Sequence, residues 1–144
     1  MEDTSSPQHR KRPKLVWVIF LWYVFSFLYT GLSFALVYSG AVPLTSEQAA
    51  YLHSLSVFDH AVTGVSALLN LSGAIALFLL RKEALYLFGT GFVVIIVTTL
   101  LHAIFKGFLS ALGGPGVWGM LIGLGIVAAV CWYTSRLKVR GVLV

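Results

Sequence analysis

Four stretches of this chain carry no Asp, Glu, Lys or Arg: Leu15 to Ser46, Ala61 to Leu80, Ala84 to Phe105, and Gly107 to Ser135. A helix needs about 20 apolar residues to cross about 30 Å of hydrocarbon, and each stretch is long enough. Composition agrees, because 58% of residues are hydrophobic and only 10% are charged. A soluble domain carries roughly 25% charged residues, so water is the wrong solvent for this chain.

The expected fold is an all-α integral membrane protein of four transmembrane helices in an antiparallel up-down bundle. The spans are expected at residues 15–42, 59–80, 84–105 and 117–135. They are flanked by a disordered basic tail over 1–14 and a short basic tail over 136–144. Pro43 is expected to end the first span. Thr45 and Gln48 have capping-box spacing for a short interfacial helix in the first loop. Arg81-Lys82-Glu83 leaves room only for a tight turn, and Lys106–Gly116 is expected to be an irregular loop because Gly113-Gly114-Pro115-Gly116 opposes a helix.

Orientation follows from the basic residues. Of the ten Lys and Arg, only Lys106 falls on the side opposite the two tails and the 81–83 turn. Cytoplasmic flanks carry the Lys/Arg excess, so both termini are expected in the cytoplasm, with the protein in a bacterial cytoplasmic (inner) membrane. Trp17, Trp22 and Trp132 fall toward the inner boundary and Tyr38, Tyr51 and Trp118 toward the outer, as interfacial aromatics do. The net charge of +5 sits beside apolar runs and does not point to nucleic acid. The expected partner is the lipid bilayer.

Each span has one small or polar stripe at helical spacing. Span 2 has Ser56, Asp59, Thr63, Ser66, Asn70 and Gly73; span 1 has Tyr23, Ser26, Thr30, Ser33 and Gly40. Span 3 has Gly91, Thr98 and His102. In span 4, Gly116, Gly119 and Gly123 share a face, and Gly119–Gly123 has GxxxG spacing. Lipid tails are as apolar as leucine, so helices associate through close approach and interhelical hydrogen bonds. Ser66, Asn70, Thr98, Gly119 and Gly123 are therefore expected to pack helices, with Asn70 bonding across the seam and the span 4 glycines suiting a homodimer or a membrane-protein partner. The competing reading is a polar path toward Asn70.

The ionisable residues concentrate at one level. His60 and His102 are nearly equidistant from Lys82, so at about 1.5 Å rise per residue their heights differ by roughly 3 Å. Asp59, His60, His102, Lys106 and His53 are thus expected to gather near the outer boundary. The plainest reading is helix-end chemistry: Asp59 complements a helix N-terminus, and Ser56 with Asp59 has capping-box spacing. His102 stands out as an ionisable group within a span. A proton-responsive pair, a metal held by His60, His102 and Asp59, and a bis-histidine haem are the sharper readings.

Catalysis has little to stand on. The sequence offers no nucleophile–base pair and no phosphate-binding loop, and the lone Cys131 excludes an internal disulfide. No charged residue lies at mid-membrane, where proton-coupled carriers keep one. The sequence therefore favours a non-enzymatic membrane protein of accessory or structural type with no cofactor. The alternatives are a small transporter or channel subunit with a path toward Asn70, and a metal- or haem-binding protein using His60 and His102.

Overall fold

The computed structural model describes residues 13–143. Among these residues the regular structure is entirely helical: α1 Lys14–Tyr38, α2 Ser46–Ser54, α3 Val57–Phe78, α4 Glu83–Phe105 and α5 Phe108–Val139. Helices α1, α3, α4 and α5 are long and apolar enough to cross a membrane. The basic run Arg10–Arg12 and most of the expected N-terminal tail lie outside the described residues.

Small residues set the helix packing. Gly73 of α3 lies under the Phe88 ring of α4, where an added Cβ would sit 3.1 Å from the ring. Gly91 of α4 lies against the Asn70 side chain of α3, where an added Cβ would sit 2.9 Å from Nδ2. With Asp59 also meeting His102, successive contacts climb both helices away from the 79–82 connection, so α3 and α4 form a tight helical hairpin. α1 packs against α3, α5 against α4, and α2 against α5.

The tightest packing lies at the end of the hairpin near its turn. Val16, Leu77, Phe88 and Thr134 are fully buried there, with Ala74 and Ala84 beside them. Aromatic contacts bind α1 to this region. Phe20 stacks on Phe78 at 4.6 Å between ring centroids, Trp17 meets Phe78 edge-on at 4.7 Å, and Tyr23 tilts against Phe88 at 5.2 Å. The outer faces carry the large apolar side chains instead: Phe25 is 65% exposed, Leu28 64% and Trp118 69%. Large apolar side chains covering the outside suit helices packed in hydrocarbon; a monomer in water rarely exposes such a surface.

Several boundaries differ from the sequence expectation, each for a local reason. Helix α1 ends at Tyr38 and not near Val42, because Gly40 takes a left-handed conformation (φ 74°) and Ala41 N–H donates to the Leu36 carbonyl, a glycine-terminated helix end. Helix α3 starts at Val57, ahead of the expected Asp59, because Ser56 is its N-cap. The expected loop over 106–116 is mostly helical. Gly107 turns the chain at φ 63°, residues from Phe108 form a short helical stretch, and the only non-helical residue inside α5 is Gly113 (φ 63°, ψ 177°). Pro115 falls in the first turn after that break, where a missing N–H costs nothing. The C-terminal segment is not a free tail either. Helix α5 continues to Val139, Gly141 turns at φ 65°, Val142 N–H donates to the Leu137 carbonyl, and Leu137 and Leu143 are buried.

Candidate functional site

The site begins with the helix cap expected of Ser56 and Asp59. Asp59 N–H donates to Ser56 Oγ at 3.3 Å, and Ser56 N–H donates back to Asp59 Oδ2 at 2.6 Å. The Ser56 hydroxyl also donates to Oδ2 at 2.6 Å. A carboxylate three residues into a helix satisfies orphan amides and faces the positive end of the helix dipole. This carboxylate has further partners on α4. Lys106 Nζ donates to Oδ2, and His102 Nε2 lies 3.0 Å from Oδ1.

The network then reaches α2. Tyr51 Oη lies 2.9 Å from His102 Nδ1. Because the Asp59 carboxylate can only accept, His102 Nε2 carries the proton toward it, and in the neutral ring Nδ1 accepts the Tyr51 O–H. Lys106 Nζ also donates to the Ser54 carbonyl at the end of α2, at 3.1 Å. Helix α2 is itself fixed by the Thr45/Gln48 capping box, with Gln48 N–H donating to Thr45 Oγ1 at 3.3 Å and Thr45 N–H to Gln48 Oε1 at 3.1 Å. Burial first, and the Asp59 charge second, raise the Tyr51 hydroxyl above the usual phenol pKa, which keeps it protonated as a donor.

Asp59, His102 and Lys106 therefore form one connected cluster, with Ser56 on the same cap and Tyr51 added from α2. Sequence reasoning placed Tyr51 only as an interfacial aromatic; the pairing needs α2 to fold over the α3–α4 end, which no local pattern encodes. His60 is not a member. It points toward α1, where its Nε2 lies 3.1 Å from Tyr38 Oη and its ring meets Phe34 edge-on. His53 is exposed on α2. The two imidazoles therefore have separate tyrosine partners, and among the described residues no group of three or more His, Cys, Asp or Glu side chains is placed to hold a metal.

Beneath α2 lies a cavity of about 290 Å³, bordered by Tyr51, His60, His102, Ser66 and Thr98 among others. Ser66 and Thr98 thus line a space as well as the helix interface. Asn70 does not bond across the seam as expected. Its Nδ2 donates to the Ser66 carbonyl of its own helix at 2.9 Å, and its buried Oδ1 has no partner among the described residues. Asn70 contributes across the seam by contact with Gly91. Gly119 and Gly123 are exposed, and an added Cβ on either would meet nothing within 4 Å. Neither is in close contact with another helix of this chain, although Gly123 borders a space that Tyr23 and Ser26 of α1 and Ile95 and Thr99 of α4 also line.

Compared with protein-family models, with the curated proteins and with the solved structures, the chain gives no match in any of the three. Its four apolar helices support a small helical membrane protein.

Proposed function

We propose that the protein is a non-enzymatic integral membrane protein of accessory or structural type. In this reading its four long helices run up and down through the bacterial cytoplasmic membrane, with both termini inside. The Asp59–His102–Lys106–Tyr51 cluster then acts as a clasp holding the short helix α2 over the outer end of the α3–α4 hairpin. The observation that carries this reading is internal satisfaction. Both Asp59 oxygens, both His102 ring nitrogens and the Lys106 ammonium are engaged by partners within the chain. A carboxylate or imidazole serving a substrate would keep an atom for it. Satisfied polar networks fix one arrangement of the helices they join.

A transport role has one supporting observation, the unpartnered Asn70 Oδ1 and Tyr23 Oη in the bundle interior. Against it stands the close packing of Val16, Leu77, Ala84 and Phe88. The two roles separate in proteoliposomes. The structural reading expects solute flux and conductance at the level of empty vesicles, together with a lowered unfolding temperature in Asp59→Asn. Flux above that level, abolished by Asn70→Leu, would overturn it. Orientation is tested by labelling a cysteine at position 47 in a Cys131→Ser background, where reagent added outside intact cells is expected to react.

A further inference from the structure

The cavity beneath α2 is not closed. Phe34, His60 and Thr63 border both it and a larger space of about 580 Å³ between α1 and α3. The larger space is apolar, with Phe27, Ala67 and Leu68 on its walls and two glycines, Gly31 and Gly64, facing it. Both glycines are exposed, and an added Cβ on either meets nothing within 4 Å. It is a groove that opens sideways between helices, toward whatever surrounds the bundle.

The inner cavity has a different character. Ser66, Thr98 and Thr99 border it, and none of their hydroxyls forms a hydrogen bond among the described residues. Ser66 is more than nine-tenths buried, with only 8% of its surface exposed. His60 uses Nε2 on Tyr38, which leaves Nδ1 for a ligand in either tautomer. Charge is absent from this set. Lys106 and Asp59 neutralise each other, so no unpaired cation awaits a phosphate or carboxylate and no unpaired anion awaits an amine. Burying a charged head here without a counter-charge would carry a large desolvation cost.

We propose that this pair of spaces is a binding site for a neutral membrane lipid with a compact, carbonyl-bearing head. The hydrocarbon chain lies in the α1–α3 groove between Gly31 and Gly64. The head takes hydrogen bonds from His60 and from the Ser66, Thr98 and Thr99 hydroxyls. Two lipid sources share this chemistry, a prenylated quinone and a diacylglycerol. The proposal rests on the helices lying in a membrane, as argued above, and goes beyond the structural role. Ligand sites of this kind combine apolar walls with a few placed polar groups in spaces of roughly 300–1,000 Å³.

The test is amide NMR on the full-length protein in phosphatidylcholine nanodiscs, titrated separately with decylubiquinone, dioctanoylglycerol and an anionic comparator, dioctanoylphosphatidic acid. One neutral lipid is expected to give saturable shifts at Gly31, Gly64 and Thr98, and which one does so identifies the source. Gly64→Leu and Gly31→Leu, which fill the groove from opposite walls, are each expected to weaken binding by about tenfold or more, through displacement of a few chain methylenes. Gly125→Leu, at an open position outside the groove, is expected to leave it unchanged and serves as the folding control. The site is refuted if neither neutral lipid saturates, if both groove variants bind like wild type, or if the anionic lipid binds as tightly as the neutral ones. Recovery of the chain in alkali-washed membranes separates these results from failure of the membrane reading, which would release the protein into the wash.

Discussion

Gly91 and Asn70 are in direct contact across the α3–α4 hairpin, and the contact leaves no room for a methyl group at 91. A Cβ there would lie 2.9 Å from Asn70 Nδ2 and 3.2 Å from its Cγ. Gly91→Ala should therefore push the amide off the Ser66 carbonyl or part the helices, at about 1–3 kcal/mol, the range for overpacking. Asn70→Ala removes the obstructing group, so the double variant should recover most of that loss. Thermal unfolding of the single and double variants in the same detergent gives the coupling, and strictly additive effects would show that the contact does not limit the approach of the helices.

At the other side of that interface, Gly73 sits under Phe88, which is fully buried. Unfolding within a bilayer leaves the side chain in hydrocarbon, so the transfer part of the usual Phe→Ala cost falls away and the cavity part remains. An unfilled volume of roughly 100 Å³ at about 24 cal/mol per Å³ corresponds to about 2 kcal/mol. Phe88→Ala should lose that much stability, measured by unfolding in mixed detergent micelles. A loss near zero would mean that the helices collapse onto the space.

The Tyr51 hydroxyl contributes one hydrogen bond to His102, so Tyr51→Phe should cost about 1 kcal/mol and speed amide exchange within α2 more than within α3. Its pH dependence has a definite sign. The folded state raises the phenol pKa above its ordinary value of 10.0, so the unfolded chain ionises first. The contribution is complete below the ordinary phenol pKa and is lost as pH rises through the folded value. Wild type should therefore show a decline in stability above about pH 10 that is smaller in Tyr51→Phe; identical alkaline profiles would contradict the assignment.

How much of this was readable in the chain depends on the range of the interaction. The Thr45/Gln48 and Ser56/Asp59 caps are local patterns that span three residues, and both appear in the sequence spacing and in the hydrogen bonds. The meeting of Asp59 with His102 follows from counting outward along two helices from a short turn. His60 lies against the same cavity as His102 but has a different partner, because the same count gives height and not direction. Neighbouring residues on a helix point about 100° apart, so Asp59 faces α4 while His60 faces α1. Tyr51 could not be found, since its role depends on how α2 closes over the hairpin. The helix after Gly113 was masked by composition: four turn-forming residues in a row suggested a loop, yet one left-handed glycine is enough to break α5, and Pro115 then suits a first turn. The span 4 glycines share a face by spacing, but spacing alone does not say whether another helix lies against it.

Those glycines supply the last prediction. Gly119 and Gly123 have open space where a Cβ would go and neither has a positive φ, so alanine at either position meets no neighbour in the single chain. Helix interiors also favour alanine over glycine, by about 1 kcal/mol per residue. Gly119→Ala, Gly123→Ala and the double variant should therefore leave the monomer as stable as wild type or slightly more so. Any association of chains through this face is a separate quantity, because close approach of two backbones would be blocked by the added methyl groups. Förster transfer between labelled chains in nanodiscs, compared with unfolding of the isolated chain, separates the two. Reduced transfer with unchanged unfolding would locate a dimer contact on α5. Unchanged transfer would show that chains do not associate through these glycines. A fall in monomer stability would contradict the open space found around these two positions.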